Sequence, residues 1–387
     1  MSDANRITTY RKKQSAFGTQ ATGNYQTERI AGETLALETG TIASDEIESG
    51  RMVTDVARTS RQVSGGTTRR WSHTAQTDWI MSMLMSDQAD AGTTVVTQSL
   101  TITAASADNS LVRSAGNWAS DGYVAGRWIR VKGLTGNGAE FYCRITSHSS
   151  ATKIIVDHVT LVNEGPTGSI EVEQGRHWNN GVTERLWSIE RAYGDLASNF
   201  VLYRDMVVAG GSFAVRADGL VDMGFDFMGS TEIFNSSTQA GTPVAAPTNR
   251  LVNGVEHMKA VLVDGTAFGM SECSWRANNN VRARLELGSL GPVSFGYGRF
   301  NCEGELVAYY SGNTNLAKYL AFTDSGLALR ALDAHGNAGI FHWPAVNWTS
   351  GTRQGQRTDD DVFQRMAFMS KKHATWGYQM QFAEWDV

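Results

Sequence analysis

Proline is scarce in this chain: five residues in 387, against 40 glycines. A β ladder tolerates few prolines, while glycine serves tight turns, so the pairing suits long strands joined by many turns. Cysteine is scarcer still, with only Cys143, Cys273 and Cys302. No two share C-x-x-C spacing, which excludes a zinc ribbon or a dithiol redox motif. An odd, small number suits a reducing compartment, with the three thiols acting as buried hydrophobes. No stretch of 18 apolar residues exists, so no segment reads as a membrane-spanning helix. The opening residues to Lys13 are polar and lack the apolar centre of a secretory signal, which predicts synthesis in a cytoplasm. An excess of basic charge is also missing. The formal net charge is -5, whereas a protein that grips phosphates should be basic.

What is present reads as folded and β-rich. Hydrophobic residues make up 41% and charged residues 19%, a globular balance, and the length calls for more than one core. Residues 1–30 are polar with isolated anchors at Tyr10, Phe17 and Tyr25. They read as an arm that orders against something outside its own chain. From Thr34, Leu35 and Leu37 alternate with polar residues, and Ile47, Met52, Val53, Val56 and Val63 recur up to Gly65-Gly66. That pattern predicts a long hairpin with a wet face. Trp79, Ile80, Met83 and Leu84 then form a stripe at helical spacing, with Thr77 as the N-cap and Asp78 in the first turn. Residues 97–175 change texture: short β runs separated by turns such as Asp121-Gly122 and Asn137-Gly138 read as an inserted small barrel or sandwich. Longer strands return after Arg176. In Met223, Phe225 and Phe227 one apolar face alternates with Gly224 and Asp226, and Asp218-Gly219 makes the preceding turn.

Residues 229–250 hold two of the prolines and many small polar residues, and 241–252 reads as a linker. The organisation predicted is a first β unit over 31–96 and 176–240, the insert over 97–175, and a second β unit over 253–387. The second unit repeats the first scheme of hairpin, Gly-rich bend, aromatic-ended strand and short helix (Thr314 to Phe322). At a common offset of 238 positions, Glu48, Gly50, Arg61 and Gly66 match Glu286, Gly288, Arg299 and Gly304. Four identities are near chance; the shared order of elements is the better argument for a duplicated fold.

A search for chemistry returns little. There is no phosphate-binding Gly-rich loop and no H-E-x-x-H. Gly269-Met270-Ser271-Glu272-Cys273 misses the last glycine of a nucleophile elbow and sits between strands. Asp359-Asp360-Asp361 lacks the alternating ligands and turning glycine of a Ca²⁺ loop. His335 and His342 are the closest strand-adjacent histidines, and surface imidazoles explain them as well as a metal does. Arg69-Arg70-Trp71 alone is too small for a nucleic-acid site. Among 11 tryptophans, Trp128, Trp178, Trp187, Trp275, Trp343, Trp348, Trp376 and Trp385 fall in or beside predicted strands. Exposed, they would suit a β-sandwich carbohydrate-binding or adhesin module; buried, they are core or interface. These readings predict no enzyme, no cofactor and no metal.

Several stretches in order resemble the tail-tube proteins of long, non-contractile-tailed bacteriophages. They are TTYRKKQSAFGT, the strands TLALETGTIASDEIESGRMVTDVARTSRQVSGG, the insert NWASDGYVAGRWIRVKGL, and Arg185 to Gly229 closing on Phe-Met-Gly. The insert departs from the family pattern at TGNGAEFYCRI. The resemblance covers about Thr8 to Gly229; the remainder matches by texture. It implies a mainly β chain of tail-tube-type sandwich or barrel units, two per chain, each with a short flanking helix, plus a small inserted β domain. It further implies a virion structural protein that assembles with itself into rings and stacks them into a tube. Such a ring is a pseudo-hexameric trimer if the fold is duplicated and a hexamer otherwise. The implied partners are tape measure, tail terminator and tail-tip proteins, with DNA as unbound cargo and no membrane. The assembly surface it implies is carried by Tyr10, Arg11, Phe17, Tyr25, Ile47, Arg51, Val53, Arg58, Arg61, Arg284 and Arg299.

Overall fold

A computed structural model describes residues 3–47, 49–87, 94–96, 100–355 and 361–386. The chain is mainly β, built from sandwich-like units with short helices, and divides into two compact units. The first comprises residues 1–85, 182–253 and 274–304; the second comprises 86–181, 254–273 and 305–387.

The first unit is organised on one long strand, Phe200–Arg216. Its early residues pair with Trp187–Tyr193, which pairs in turn with Ile7–Lys13. Its later residues pair with Asp222–Gly229, which pairs with Val56–Arg70, and that strand forms a hairpin with Ala36–Ala43. All these ladders are antiparallel. The period-2 pattern does what it predicts: Met223, Phe225 and Phe227 are buried, with Asp222 and Asp226 outward. The helix Thr77–Met83 lays Trp79, Ile80 and Met83 on the sheet. Trp79 lies 4.9 Å from Trp187 and 5.0 Å, edge to face, from Phe227. Thr77 is the first helical residue rather than the cap; Gln76 holds the cap position. The Gln76 side chain accepts from Ser72 N–H (3.0 Å) and donates to the Arg70 carbonyl (3.1 Å), tying the helix entry to the strand before it.

The opening segment is ordered on its own chain. Ile7–Lys13 adds a seven-residue strand, and Tyr25 is fully buried, donating from its hydroxyl to the Ala21 carbonyl at 2.9 Å. Few apolar side chains are needed, because ladder hydrogen bonds and a buried ion cluster replace apolar area. Residues 241–252 are likewise laid along the first unit: Val244 N–H bonds to the Tyr25 carbonyl and Val252 N–H to the Trp71 carbonyl.

The second unit holds an eight-stranded sheet from residues 94–174, in the order Glu164–Thr167, Ile102–Ala105, Ser110–Arg113, Lys153–Asp157, Glu140–Ser150, Trp128–Lys132, Glu171–Gln174, Thr94–Val96. It closes over its own core, including Trp118, Tyr123, Ile129, Val131 and Ile154. The other sheet is organised on Ala338–Gln354, flanked by Ser325–Leu332, Phe363–Ser370 and Gln381–Trp385. Trp128 and Tyr142 of the insert join Leu262, Ile340 and Trp385 in one apolar cluster.

The two long strands carry one wiring diagram. Each pairs early with a preceding strand (187–193 or 325–332) that is itself paired with an outer one (7–13 or 258–263). Each pairs late with a following strand (222–229 or 363–370), whose chain continues into a short strand back along the early residues (231–235 or 381–385). The irregularities agree as well. A bulge follows Val208 in one and Trp348 in the other, and the preceding-strand ladders shift at Trp187/Ile189 and Ser325/Leu327. Bulges in matching places are built features rather than accidents, so the fold is duplicated within the chain.

Candidate assembly surface

The hairpin Ala36–Ala43/Val56–Arg70 is anchored at only one end. Residues 63–70 are held in the sheet by Asp222–Gly229, but 56–62 pair with the 36–43 strand. Beyond Val63 the ribbon turns its apolar residues outward. Ile47 is fully exposed, Met52 is 69% and Val53 63% exposed, and Ile42 and Val56 are exposed too. A run of this kind marks a surface meant to be covered. Arg51 and Arg58 are exposed on the same ribbon, and neither has an ion-pair partner among the described residues. Arg61 lies where the ribbon meets residues 290–291, its N–H bonding to the Leu290 carbonyl at 2.9 Å.

The second repeat carries a matching tip. Leu285 and Leu287 are exposed beyond the short hairpin Arg282–Arg284/Ser294–Gly296. Arg284 is exposed there, with its guanidinium over Gly296. Arg299 is exposed, and its carbonyl accepts from Asn280 Nδ2 at 2.7 Å. Met52 and Val56 belong to the same apolar recurrence as Ile47 and Val53, which is the signal that finds them. Leu285 and Leu287 have no comparable signal, because R-L-E-L-G reads equally as a strand.

Four other candidates are spent within the first unit. Tyr25 is core. Tyr10 and Phe17 are half-buried, Phe17 edge-on to Phe295 at 5.7 Å. Arg11 is buried over the Trp79 and Trp187 rings, at 5.1 and 5.4 Å. Its guanidinium pairs with Glu28 at 2.6 Å and Asp78 at 2.9 Å, and Arg69 pairs with the other Glu28 oxygen. Trp79 Nε1 also donates to Glu28, at 2.9 Å. Burial alone would raise the Glu28 carboxyl; Arg69 and Arg11 more than offset it and hold it below the usual range.

The remaining chemical candidates do not converge. Cys143, Cys273 and Cys302 are all buried. His335 is exposed, whereas His342 is buried and bonds to Arg144 at 2.8 Å. Asp359 and Asp360 lie outside the described residues, and among the described ones no group of three His, Cys, Asp or Glu is placed to hold a metal. Arg69 is buried, Arg70 pairs with Asp222 and Trp71 is buried, so that trio offers no basic face. Ten of the eleven tryptophans are buried. The other, Trp376, is stacked by His373 at 4.0 Å and covered by the Arg144 guanidinium at 3.7 Å, leaving no free ring face for a sugar. It borders a cavity of about 370 Å³ with Arg144, Asp157, His158, Asp264 and Asp324. The charges there are paired: Arg144 with Asp157, Lys318 with Asp264, and Lys371 with Asp324.

What the surface offers among the described residues is therefore projecting ribbons with apolar tips. No helix among the described residues is long and apolar enough to cross a membrane. No curated protein matches the chain. A family model described as phage tail tube protein matches residues 4–370, nearly the whole length, and the chain belongs to that family.

Proposed function

We propose that this chain is the subunit of a non-contractile, siphovirus-type tail tube, with three copies closing each ring and successive rings stacking around a channel that DNA crosses during ejection. The observation that carries this reading is the duplication. Two copies of one strand scheme in each chain make three chains into six equivalent units, and a ring of three satisfies closed symmetry. Ring-to-ring contacts are heterologous, as a stacked tube requires. The projecting ribbons supply the contacts, and Ile47, Arg51, Val53, Arg58, Arg284 and Arg299 are the exposed residues best placed to make them. A net charge of -5 suits a lumen through which DNA slides without counterion-releasing contacts. Tape measure, terminator and tip proteins are the partners at the lumen and the two ends, and the role needs no catalysis.

Negative-stain electron microscopy of the purified protein, alone and with tail-tip complexes, tests the reading. Hollow tubes of uniform width with three chains per ring are expected. Compact monomers under every condition would reject it.

A further inference from the structure

The two repeats cover one face of the long strand with different material. In the first, Leu202 lies under Ala21 and Tyr25 of the opening segment. Its counterpart in the second is His342, four residues before Val346 as Leu202 is before Met206. His342 lies under the insert: Trp128 meets its ring edge to face at 5.6 Å, and Arg144 Nη1 donates to its Nε2 at 2.8 Å. Residues directly opposite on antiparallel strands share a face. Ala383 is opposite Ile340, and His177 of Arg176–Asn179 is opposite Ala383, so all of them look the same way as His342. Ile340 and Ala383 belong to the cluster that Trp128 and Tyr142 join, which makes this face the insert's seat.

Three of the eight histidines are shut into this joint: His158 from the insert, His177 and His342 from the seat. Each faces a cation. Arg144 has no acceptor, so His342 Nε2 must accept and its proton sits on Nδ1, which has no partner among the described residues. A second proton would end that bond and set two cations at hydrogen-bond distance. His158 stacks on Trp128 at 4.8 Å; Asp157 lies 3.8 Å away, but Arg144 already takes both of its oxygens. His177 is buried beside Arg127, with no carboxylate paired to it among the described residues. The other titratable groups around the imidazoles are His373 and Tyr378 on the turn after Ser370, and Asp264, which Lys318 pairs.

We propose that the insert's seat on the second repeat is an acid-opened latch, which releases the insert from the sheet as a folded body. The insert has its own eight-stranded sheet and its own core, with Trp118, Ile129 and Cys143 inside, and Gly175 alone separates its last strand from Arg176–Asn179. Hydrogen bonds from the Tyr378 hydroxyl to the Gly126 carbonyl (2.9 Å) and from Trp385 Nε1 to the Glu173 carbonyl (3.3 Å) hold the joint at neutral pH and do not titrate in acid. The imidazoles do. Burial holds His158 at about 4, and burial with Arg127 holds His177 at about 4. All three are neutral in the closed joint and take a proton more readily once wet. Closure is therefore complete above about 6.5 and is lost as the pH falls toward 4. Between pH 7 and 4.5, His158 and His177 each weaken it roughly fifty-fold.

The test is thiol accessibility in the full-length protein. Ala383→Cys in one variant and Ala328→Cys in another place a small probe in the apolar cluster of the seat, where each alanine is 1% exposed. Circular dichroism at pH 7 checks both folds. Dithiodipyridine, which reacts with thiols in acid, is added at pH 7 and at pH 4.5, and mass spectrometry reads which cysteine is modified. The introduced thiol should react more than about ten times faster at pH 4.5, after correction for the reagent's own pH dependence, while Cys143 inside the insert stays protected. Adding His177→Gln and His342→Gln, which keep a polar side chain but cannot charge, should remove most of that acceleration. A seat that stays closed at pH 4.5 overturns the latch. So does an introduced thiol that opens only together with Cys143, which would be unfolding of the insert, or one that opens as fast in the glutamine variant.

Discussion

Gly211 and Gly351 occupy the same place in the two repeats, three residues past the start of the bulge on each long strand and directly under the flanking helix. A Cβ on Gly211 would lie 2.5 Å from Met83 Sδ; one on Gly351 would lie 2.7 Å from Leu316 Cδ1 and 3.1 Å from Tyr319 Cδ1. At both sites the helix approaches so closely that a methyl group has no room. The surroundings differ, however. Met83 is fully buried with Phe225 beside it, whereas Leu316 is 9% exposed and Tyr319 is half-buried. Gly211→Ala should therefore cost about 1–3 kcal/mol, the usual range for overpacking, and Gly351→Ala less. Thermal melts of the two variants check the order. Equal shifts would mean that the second helix is held as tightly as the first.

The buried charge cluster predicts a larger loss. Glu28 has a side chain 2% exposed and is the anion for Arg11 and Arg69. Glu28→Gln keeps the shape but leaves two buried guanidinium groups short of a counter-charge, with Asp78 beside only one of them. Breaking a buried pair by removing one partner typically costs about 3–5 kcal/mol. Urea unfolding of the variant against the parent protein should show it. A loss below about 1 kcal/mol would mean that water reaches the cluster.

Much of this architecture is legible in the sequence, and the parts that are not share a cause. The Trp79 stripe, the Met223/Phe225/Phe227 alternation and the Asp218-Gly219 turn are local patterns, and each gives its element correctly. The burial of Arg11 and Tyr25 is not local. It depends on Glu28, Asp78 and the 187–193 strand, which no periodicity around residue 10 reveals. The duplication is faint for a different reason. The hairpins compare at an offset of 238, but Tyr203/Trp343, Met206/Val346 and Gly211/Gly351 match at 140, because the insert lies between hairpin and long strand in the first repeat only. No single ungapped comparison sees both. The assembly candidates divide along the same line: the exposed ribbon residues around Ile47 follow from weak amphipathicity, while the exposed Leu285 and Leu287 are visible only once the short hairpin beside them is placed.

Acid should loosen the second unit before it affects the carboxylates. Burial pushes His158 down to about 4, with Arg144 adding to the effect and Asp157 opposing it. Burial first, then Arg144 and His158, hold His342 well below its usual value. Trp128 stacks on His158 at 4.8 Å, and His158 meets His342 at 5.5 Å. Both imidazoles are neutral in the fold and protonate more readily in the unfolded chain. Their contribution is complete above about 6.5 and is lost as the pH falls toward 4, with His158 alone accounting for roughly 3 kcal/mol over that window. Urea midpoints should drop between pH 7 and 5, and His158→Gln should flatten the decline. A pH-independent midpoint across that range would show that the imidazoles are solvated.

The exposed ribbon makes the opposite prediction from the core sites. Ile47, Met52 and Val53 are exposed in the isolated chain, so Ile47→Ser, Met52→Ser and Val53→Ser together should leave the melting temperature nearly unchanged, since surface changes usually stay within about 0.5 kcal/mol each. If these side chains are covered on assembly, removing them costs roughly 1–3 kcal/mol apiece in association free energy, enough to raise the concentration needed for tubes by an order of magnitude or more. Sedimentation and negative-stain microscopy over a concentration series read that threshold, and circular dichroism confirms the fold. An unchanged threshold with an intact fold would place the contacts elsewhere on the chain and leave the apolar tip without a partner. A raised threshold with an unchanged melt would separate assembly from folding at three named residues.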